Sequence, residues 1–209
     1  MNTIIPERLA EITRLDEGGH SDFNNGVCAM EAAAYIVGEP WSDHPQCVCP
    51  VIATFMRLWN DALPDGKRTE LLLPLIPATV GTRGSDEPAN RRATMANDWL
   101  VRVHTPAWLR LAGLTGHADT LANLPEITDF AKTPDLMPAI EAARKDADAA
   151  RAAAGDAARA AAGDAARAAA RDAAWDAARA AAGAALSSTV TELQASAVDL
   201  VKRMCAVAA

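Results

Sequence analysis

A dense polar cluster between residues 20 and 49 contains most of the side chains in this sequence that could take part in chemistry. Its members are histidines, cysteines and acids: His20, Asp22, Cys28, Glu31, Asp43, His44, Cys47 and Cys49. Side chains of these types serve as metal ligands, nucleophiles and general bases. The cluster therefore predicts a place where two polar loops meet, and three interpretations of it are open.

A metal site is the first interpretation. The spacing His44-x-x-Cys47-x-Cys49 suits zinc, which takes imidazole nitrogen and thiolate sulfur in a tetrahedral arrangement, and Cys28 or His20 could complete the site. The signal is less specific than a CxxC knuckle, because a single residue separates the two thiols. Zinc is the cofactor that this interpretation implies, and the other two imply none.

A nucleophilic cysteine is the second interpretation. Cys28 lies at the start of a predicted helix, where the helix dipole would lower the pKa of a thiol. His20 or His44 could then act as the base, and Asp22 or Asp43 could orient it. The stretch NNGVCAMEAAAYI resembles the helix that carries the catalytic cysteine in papain-like enzymes. Those enzymes carry their histidine on a β-sheet, and this sequence predicts no sheet.

The third interpretation is structural. Cys28, Cys47 and Cys49 would be small buried side chains, and His44 would cap the helix that begins near Pro50. The N-terminal sequence has neither a basic region nor an apolar region typical of an export signal, so we expect a cytoplasmic, reducing location in which disulfides are unusual.

A second group of candidate binding residues lies further along the chain. Arg91 and Arg92 precede Trp99 and Trp108, and His104 lies between the two tryptophans. Arginines beside aromatic rings can bind a phosphate or a nucleotide. The alternative is that both tryptophans belong to the core and both arginines face solvent.

Hydrophobic spacing and helix caps predict an all-α fold. Cys28 begins one helix and Gly38 ends it, Pro50 begins the next, and Thr105 caps a helix that starts at Pro106. Only the stretches CVCPVI and LVRVH resemble strands, and both lie inside helical patterns.

The composition changes near residue 130, which predicts two parts. Residues 1–130 read as a compact helical domain, and residues 131–209 read as a long alanine-rich helix followed by a short amphipathic C-terminal helix. The long segment repeats DAARAAAG every eight residues, so equivalent charges advance by about 80° around a helix. Such a helix has no fixed apolar stripe and cannot form an ordinary left-handed coiled coil.

The alanine-rich segment leaves several conformations open. As one helix of about 50 residues it would extend roughly 75 Å. It could instead break at Gly155, Gly163 or Gly183, since glycine is unfavourable within a helix. Ser187-Ser188 would form a turn that lets the last helix fold back.

Charge and hydropathy exclude two classes of partner. The formal net charge is −7, whereas nucleic-acid binding requires clustered cations, so we expect no nucleic-acid partner. No apolar run approaches the roughly 20 residues that a membrane-spanning helix needs, so we expect no membrane partner.

The stretch CAMEAAAYIVGEPWSDHPQCVCPVIATFMRLWND, the later NDWLVRVHTPAWLRLAGL and the AARDAAW-type tail resemble uncharacterised proteins of actinobacteria and their phages. The resemblance implies a helical protein without an assigned activity. In a phage it would be an accessory protein that acts on host defence or metabolism.

These observations favour a non-enzymatic binding protein that acts on a partner or a small ligand. The alternative is a cysteine- or metal-dependent enzyme that uses the loops around Cys28 and His44. We also expect a homo-oligomer, most simply a dimer, because the tail lacks an apolar stripe and the seam formed by Leu193, Leu200 and Met204 needs a cover. Its predicted interface includes Trp175 and Leu200.

Overall fold

The computed structural model describes residues 3–165 and 172–209, with side chains at all of these positions except 132, 133, 135, 153–165 and 172–185. The regular structure in these ranges is helical, which confirms the predicted all-α class. The α-helices are α1 Pro6–Glu11, α2 Ala29–Val37, α3 Pro50–Ala62, α4 Asp65–Leu72, α5 Ile76–Thr79, α6 Asp86–Trp99, α7 Thr105–Leu111, α8 Thr115–Ala122, α9 Met137–Ala165 and α10 Asp172–Ala206. Within the same ranges, no helix combines the length and the apolar character that a membrane crossing requires.

The chain divides into two compact units, and the domain boundary near residue 130 stays a prediction. Unit 1 combines Met1–Ala96 with Ser196–Ala209, and unit 2 is Asn97–Ala195. The last residues of the chain therefore belong to the first unit. This division depends on long-range contacts, which a change in composition does not report.

Unit 1 is built around α2, which is buried along almost its whole length and packs against α1, α3 and α5. As predicted, Cys28 caps its start and Gly38 ends it, with φ +77° in the left-handed region that glycine tolerates. Pro50 is the first residue of α3, where a missing N–H costs nothing. Ile52 and Met56 form the buried face of α3.

Two buried arginines cap the carboxyl ends of helices in unit 1. The guanidinium of Arg68 donates to the carbonyls of Asn60 and Leu63 at the end of α3, at 2.8 and 2.7 Å. Arg92 donates to the carbonyls of Met204 and Val207 at the end of α10, at 3.0 and 2.6 Å. A cation at this end of a helix offsets the helix dipole and satisfies carbonyls that have no partner within the helix.

Unit 2 contains a small apolar core. Its buried members come from the helical segments and the connections between them: Val101, Leu109, Ala118, Leu121, Ile127 and Ala143. In this unit α7 packs against α8, and α8 packs against α9. Gly113, with φ +77°, ends α7. Three of these six core side chains are larger than valine, so the apolar area buried here is modest.

The helix from Asp86 to Leu111 is continuous, and the cap predicted at Thr105 is wrong. Leu100–His104 adopts a π-helix between α6 and α7, and the backbone at Thr105 stays helical. The hydroxyl of Thr105 donates to the carbonyl of Leu100 at 2.8 Å, and the backbone N–H of Thr105 donates to the same carbonyl. Pro106 lacks the N–H that would continue the α-helical pattern, which accounts for the wider turn before it.

The alanine-rich region differs from its sequence prediction at one turn, and the structure also places the three glycines at which a break was an open alternative. The predicted turn at Ser187-Ser188 is wrong because α10 continues through it, and these polar residues bond along the helix instead: Thr191 donates to the Ser187 carbonyl at 2.9 Å. The predicted break positions Gly155, Gly163 and Gly183 all lie within α9 or α10. Whether the segment is one continuous helix depends partly on residues 166–171, which lie outside the described residues.

Candidate functional site

Glu31 is the centre of the polar cluster in unit 1, and it is only 2 % exposed. One oxygen of its carboxylate, Oε2, lies 2.8 Å from His20 Nδ1 and accepts the Cys28 N–H at 2.8 Å. The other oxygen accepts the backbone N–H of His20. The buried carboxylate therefore joins the loop at residues 18–28 to the first turn of α2.

Cys28 and Glu31 form a capping box. The Glu31 N–H donates to the Cys28 sulfur at 3.4 Å, and the Glu31 carboxylate accepts the Cys28 N–H in return. A cysteine thus occupies the position where serine or threonine is usual. Sequence reasoning placed Cys28 at the helix start and Glu31 in the polar cluster, but it did not assign Glu31 the capping role that a spacing of three residues indicates.

His20 is enclosed by its neighbours. Its imidazole lies over Gly26, where an added Cβ would come within 2.4 Å of the ring. The indole of Trp41 donates to the His20 carbonyl at 2.8 Å. Trp41 also meets the rings of Phe23 and Tyr35 edge-on.

The pKa of the Cys28 thiol moves opposite to the direction expected for a nucleophile. Burial raises it to about 12, although a helix N-terminus lowers a thiol pKa when solvent can reach the sulfur. Asp22, Asp43 and His44, three other proposed members of that site, make hydrogen bonds away from the Cys28 thiol. Asp22 caps the short 3₁₀ turn Phe23–Asn25, and the exposed His44 pairs with Asp43 at 2.6 Å.

The predicted zinc ligands do not form a cluster among the described residues, where no group of three His, Cys, Asp or Glu side chains is arranged to hold a metal ion. His44 is 68 % exposed, whereas Cys47 and Cys49 are buried. The Cys49 N–H donates to the Thr82 hydroxyl at 3.0 Å, and the Cys47 thiol faces the Ala33 carbonyl at 3.9 Å. The zinc site stays a prediction.

One interpretation expected Arg92 to face solvent, and the structure shows that it does not. It is fully buried, and its guanidinium donates to three backbone carbonyls, those of Thr82, Met204 and Val207. Arg91, the neighbouring residue, is exposed. The ligand-binding role of Arg91, Arg92 and His104 stays a prediction, and the donors of Arg92 are largely occupied by the protein itself.

His104 lies between two tryptophans on the helix that contains the π-turn. Its ring centroid is 5.1 Å from that of Trp99 and 6.2 Å from that of Trp108. The Trp108 indole N–H donates to His104 Nε2 at 3.1 Å, which requires an unprotonated Nε2. Burial lowers the pKa of His104, so the neutral imidazole is favoured.

An exposed apolar face is the feature of unit 2 that the sequence did not reveal. Trp108, expected in the core, is 39 % exposed, and Leu100, Val103 and Leu111 are between 40 % and 48 % exposed. At about 100° per residue, these four positions fall within an arc of about 140° around the helix, with Leu100 and Leu111 near its middle and Val103 and Trp108 at its edges. We call this set the apolar face.

No protein-family model matches this chain, and neither a curated protein nor a solved structure is detectably similar to it.

Proposed function

We propose that this chain is a non-enzymatic binding protein that acts as a homodimer, joined through the apolar face of unit 2. The observation that carries the proposal is the exposure of Leu100, Val103, Trp108 and Leu111 on one side of a single helix. Scattered apolar residues on a surface are ordinary, but a contiguous apolar set is typical of a binding surface. Tryptophan is also among the residues that contribute most to interfaces.

The spacing of the face suits a second copy of the same chain. The four positions are symmetric about a point between Thr105 and Pro106. If two such helices pack antiparallel about a two-fold axis there, each Leu100 lies level with the partner's Leu111, and each Val103 lies level with the partner's Trp108. A two-fold interface uses the same patch on both subunits and needs this self-complementarity.

The charges beside the face support the same partner. Arg102 pairs with Asp98 at 3.2 Å, and Arg110 pairs with Asp119 at 2.9 Å. These two pairs leave the flanks of the face without net charge, so two identical copies can approach without repulsion. In the antiparallel register, each arginine lies opposite a buried position, Leu109 or Val101, and not opposite the partner's arginine.

This interface differs from the one expected around Trp175 and Leu200. Leu200 is fully buried within the single chain, together with Val201 and Met204, so it has no exposed surface for a second copy. The seam that needed a cover is therefore covered within the chain. The side chain of Trp175 lies outside the described residues.

The polar cluster supports binding over catalysis. Both oxygens of Glu31 accept hydrogen bonds from the backbone and from His20, and the Cys28 thiol is buried with a raised pKa. These groups hold a loop on a helix, and a thiol with a pKa of about 12 is a poor nucleophile at neutral pH.

Sedimentation equilibrium at tens of micromolar tests the dimer. We expect the full chain to sediment as a dimer and Trp108→Glu to sediment as a monomer with unchanged far-UV circular dichroism. The matched control is Leu58→Glu, which adds the same charge at an apolar residue of unit 1 that is 69 % exposed. A monomeric parent protein, or a dimer that survives Trp108→Glu and is lost in Leu58→Glu, would contradict the proposal.

The register is tested by mixing two variants that each carry one added cysteine, in a background in which the half-buried Cys205 is replaced by serine. Leu100→Cys and Leu111→Cys should be joined by a short bismaleimide when the two proteins are mixed. Neither should be joined to itself, because like positions lie about 16 Å apart along the axis. Equal cross-linking of each variant with itself would show a different register.

A further inference from the structure

A second surface of unit 1, separate from the polar cluster around Glu31, has the character of a small-ligand site. It is a pocket of about 220 Å³ between the segment that precedes α3, the first turns of α3 and the loop before α6. The lining residues that matter chemically are His44, Gln46, Thr54, Arg57 and Arg83. Pockets for drug-sized ligands are about 300–1,000 Å³, so this one suits a smaller molecule or a single charged group.

The charge of the pocket is positive. Arg57 and Arg83 both line it, and no aspartate or glutamate does. The nearest carboxylate to Arg57 is that of Asp43, with 4.0 Å between Arg57 Nε and Asp43 Oδ2. That carboxylate makes its shorter contact, 2.6 Å, with His44 Nδ1. The Asp43 carboxylate, shared with His44, thus lies near only one of the two guanidinium groups, that of Arg57.

The two arginines differ in the hydrogen bonds that their guanidinium groups make within the protein. Arg57 is one-fifth exposed, and it donates to the Asp43 carbonyl at 2.9 Å and to the Thr54 hydroxyl at 3.2 Å. These bonds hold the guanidinium in place without neutralising it. Arg83 is exposed and makes no hydrogen bond or ion pair with any residue in the described part of the chain.

Hydrogen bonds fix the two parts of the pocket relative to each other. The Gly81 N–H donates to the Cys47 carbonyl at 2.9 Å, and the Cys49 N–H donates to the Thr82 hydroxyl at 3.0 Å. The Thr82 carbonyl in turn accepts from the buried Arg92 at 2.7 Å. The backbone at Arg83 is therefore held beside the start of α3, so most of the cost of assembling the pocket is met during folding.

We propose that this pocket binds a phosphate group, either as the free ion or as the terminal group of a small phosphorylated molecule. Two guanidinium groups match a doubly charged, tetrahedral anion better than a singly charged carboxylate, and arginine donates to phosphate oxygens in pairs. Thr54 and Gln46 supply neutral hydrogen-bonding groups at the same wall. The proposal is independent of the dimer, which uses residues of unit 2.

Isothermal titration of the full-length protein tests the site, with inorganic phosphate, glycerol phosphate and acetate as the three probes at constant ionic strength. We expect saturable binding of phosphate or glycerol phosphate, and the tighter of the two identifies the source of the group. Acetate should bind more weakly than both. Acetate binding that equals phosphate binding, or the absence of saturable phosphate binding, would overturn the proposal.

Two variants assign the binding to the pocket. Arg83→Gln and Arg57→Gln should each weaken phosphate binding about tenfold or more, as expected for the loss of a hydrogen bond between charged groups. Arg203→Gln is the matched control, because it removes the same charge from an exposed arginine of unit 1 outside the pocket. Arg83 is exposed and makes no hydrogen bond or ion pair with the described residues, so its variant should keep the parent melting temperature. Equal weakening in all three variants would reduce the effect to net charge and overturn the site.

Discussion

Unit 1 and unit 2 stabilise their short helices by different interactions. Unit 1 buries charged side chains, namely Glu31, Arg68 and Arg92, and satisfies each with backbone groups at helix ends or in loops. Unit 2 relies on a small apolar core and leaves large apolar side chains in contact with solvent. Buried polar groups that have hydrogen-bond partners hold unit 1 in specific loop conformations. The exposed apolar side chains of unit 2 instead favour association with another protein molecule.

The largest difference is expected in the alkylation rate of Cys28, which belongs to the buried polar cluster of unit 1. At roughly pH 8 a thiol with an ordinary pKa is partly ionised, whereas one with a pKa of about 12 is ionised to about one part in ten thousand. We expect iodoacetamide to alkylate Cys28 in the folded protein about a thousandfold more slowly than in urea, as measured by peptide mass spectrometry. Rapid alkylation of folded protein would restore the nucleophile interpretation.

Replacement of the buried Arg92 by methionine should give the next largest effect. It would remove one donor from each of three carbonyls, of which that of Met204 keeps the Val207 N–H at 3.3 Å, and each carbonyl left without a donor costs about 1–3 kcal/mol. We expect unit 1 to lose about 3 kcal/mol in urea unfolding. The control, Arg91→Met, changes an exposed neighbour and should stay within about 0.5 kcal/mol of the parent. Similar values for the two variants would show that the buried arginine does not hold α10.

Much of unit 1 follows from local sequence signals, and its long-range contacts do not. Cys28, Gly38 and Pro50 mark helix ends because capping depends on a few neighbouring residues. Arg92 could not be assigned in this way, because its partners Met204 and Val207 are more than 100 residues away in the sequence. No periodic pattern connects positions that far apart.

The candidate sites were predictable only in part, for a related reason. The cluster around Cys28 was identified by residue type, but the role of its members depends on burial, which converts Glu31 into a structural acceptor. Trp108 was assigned to the core because tryptophan is usually well buried, and its exposure depends on which neighbours cover the helix. The serines at 187 and 188 suggested a turn, but alanine-rich flanks allow a helix to continue through them.

A smaller effect is expected for Glu31→Gln. The amide keeps the size of the side chain, but one of its two terminal groups becomes a donor facing N–H donors, so at least one hydrogen bond is lost at a cost of about 1–2 kcal/mol. Hydrogen exchange should show faster opening of residues 18–28. Glu70→Gln, which affects an exposed pair with Lys67, should leave those residues unchanged. Unchanged exchange in both variants would mean that another contact holds the loop.

The smallest effect tests unit 2 through His104. Burial holds the pKa of His104 below its usual value, so the unfolded chain binds a proton more readily than the folded one. The stability from this group is complete above the unfolded pKa near 6.5 and is lost as the pH falls through the lower folded value. We expect the melting temperature of the parent to fall more between pH 8 and pH 5 than that of His104→Gln. Parallel curves would contradict this.

The discontinuity of unit 1 has a consequence for the order of events during protein synthesis. Ribosomes add about 5–20 residues per second, so unit 2 takes several seconds to emerge after Ala96 and before Ser196. Throughout that interval the nascent chain carries Arg92 without the carbonyls of Met204 and Val207. Unit 1 therefore completes its folding only after Val207 has been added. A ribosome that stops before Met204 releases a chain in which Arg92 lacks both of these carbonyls.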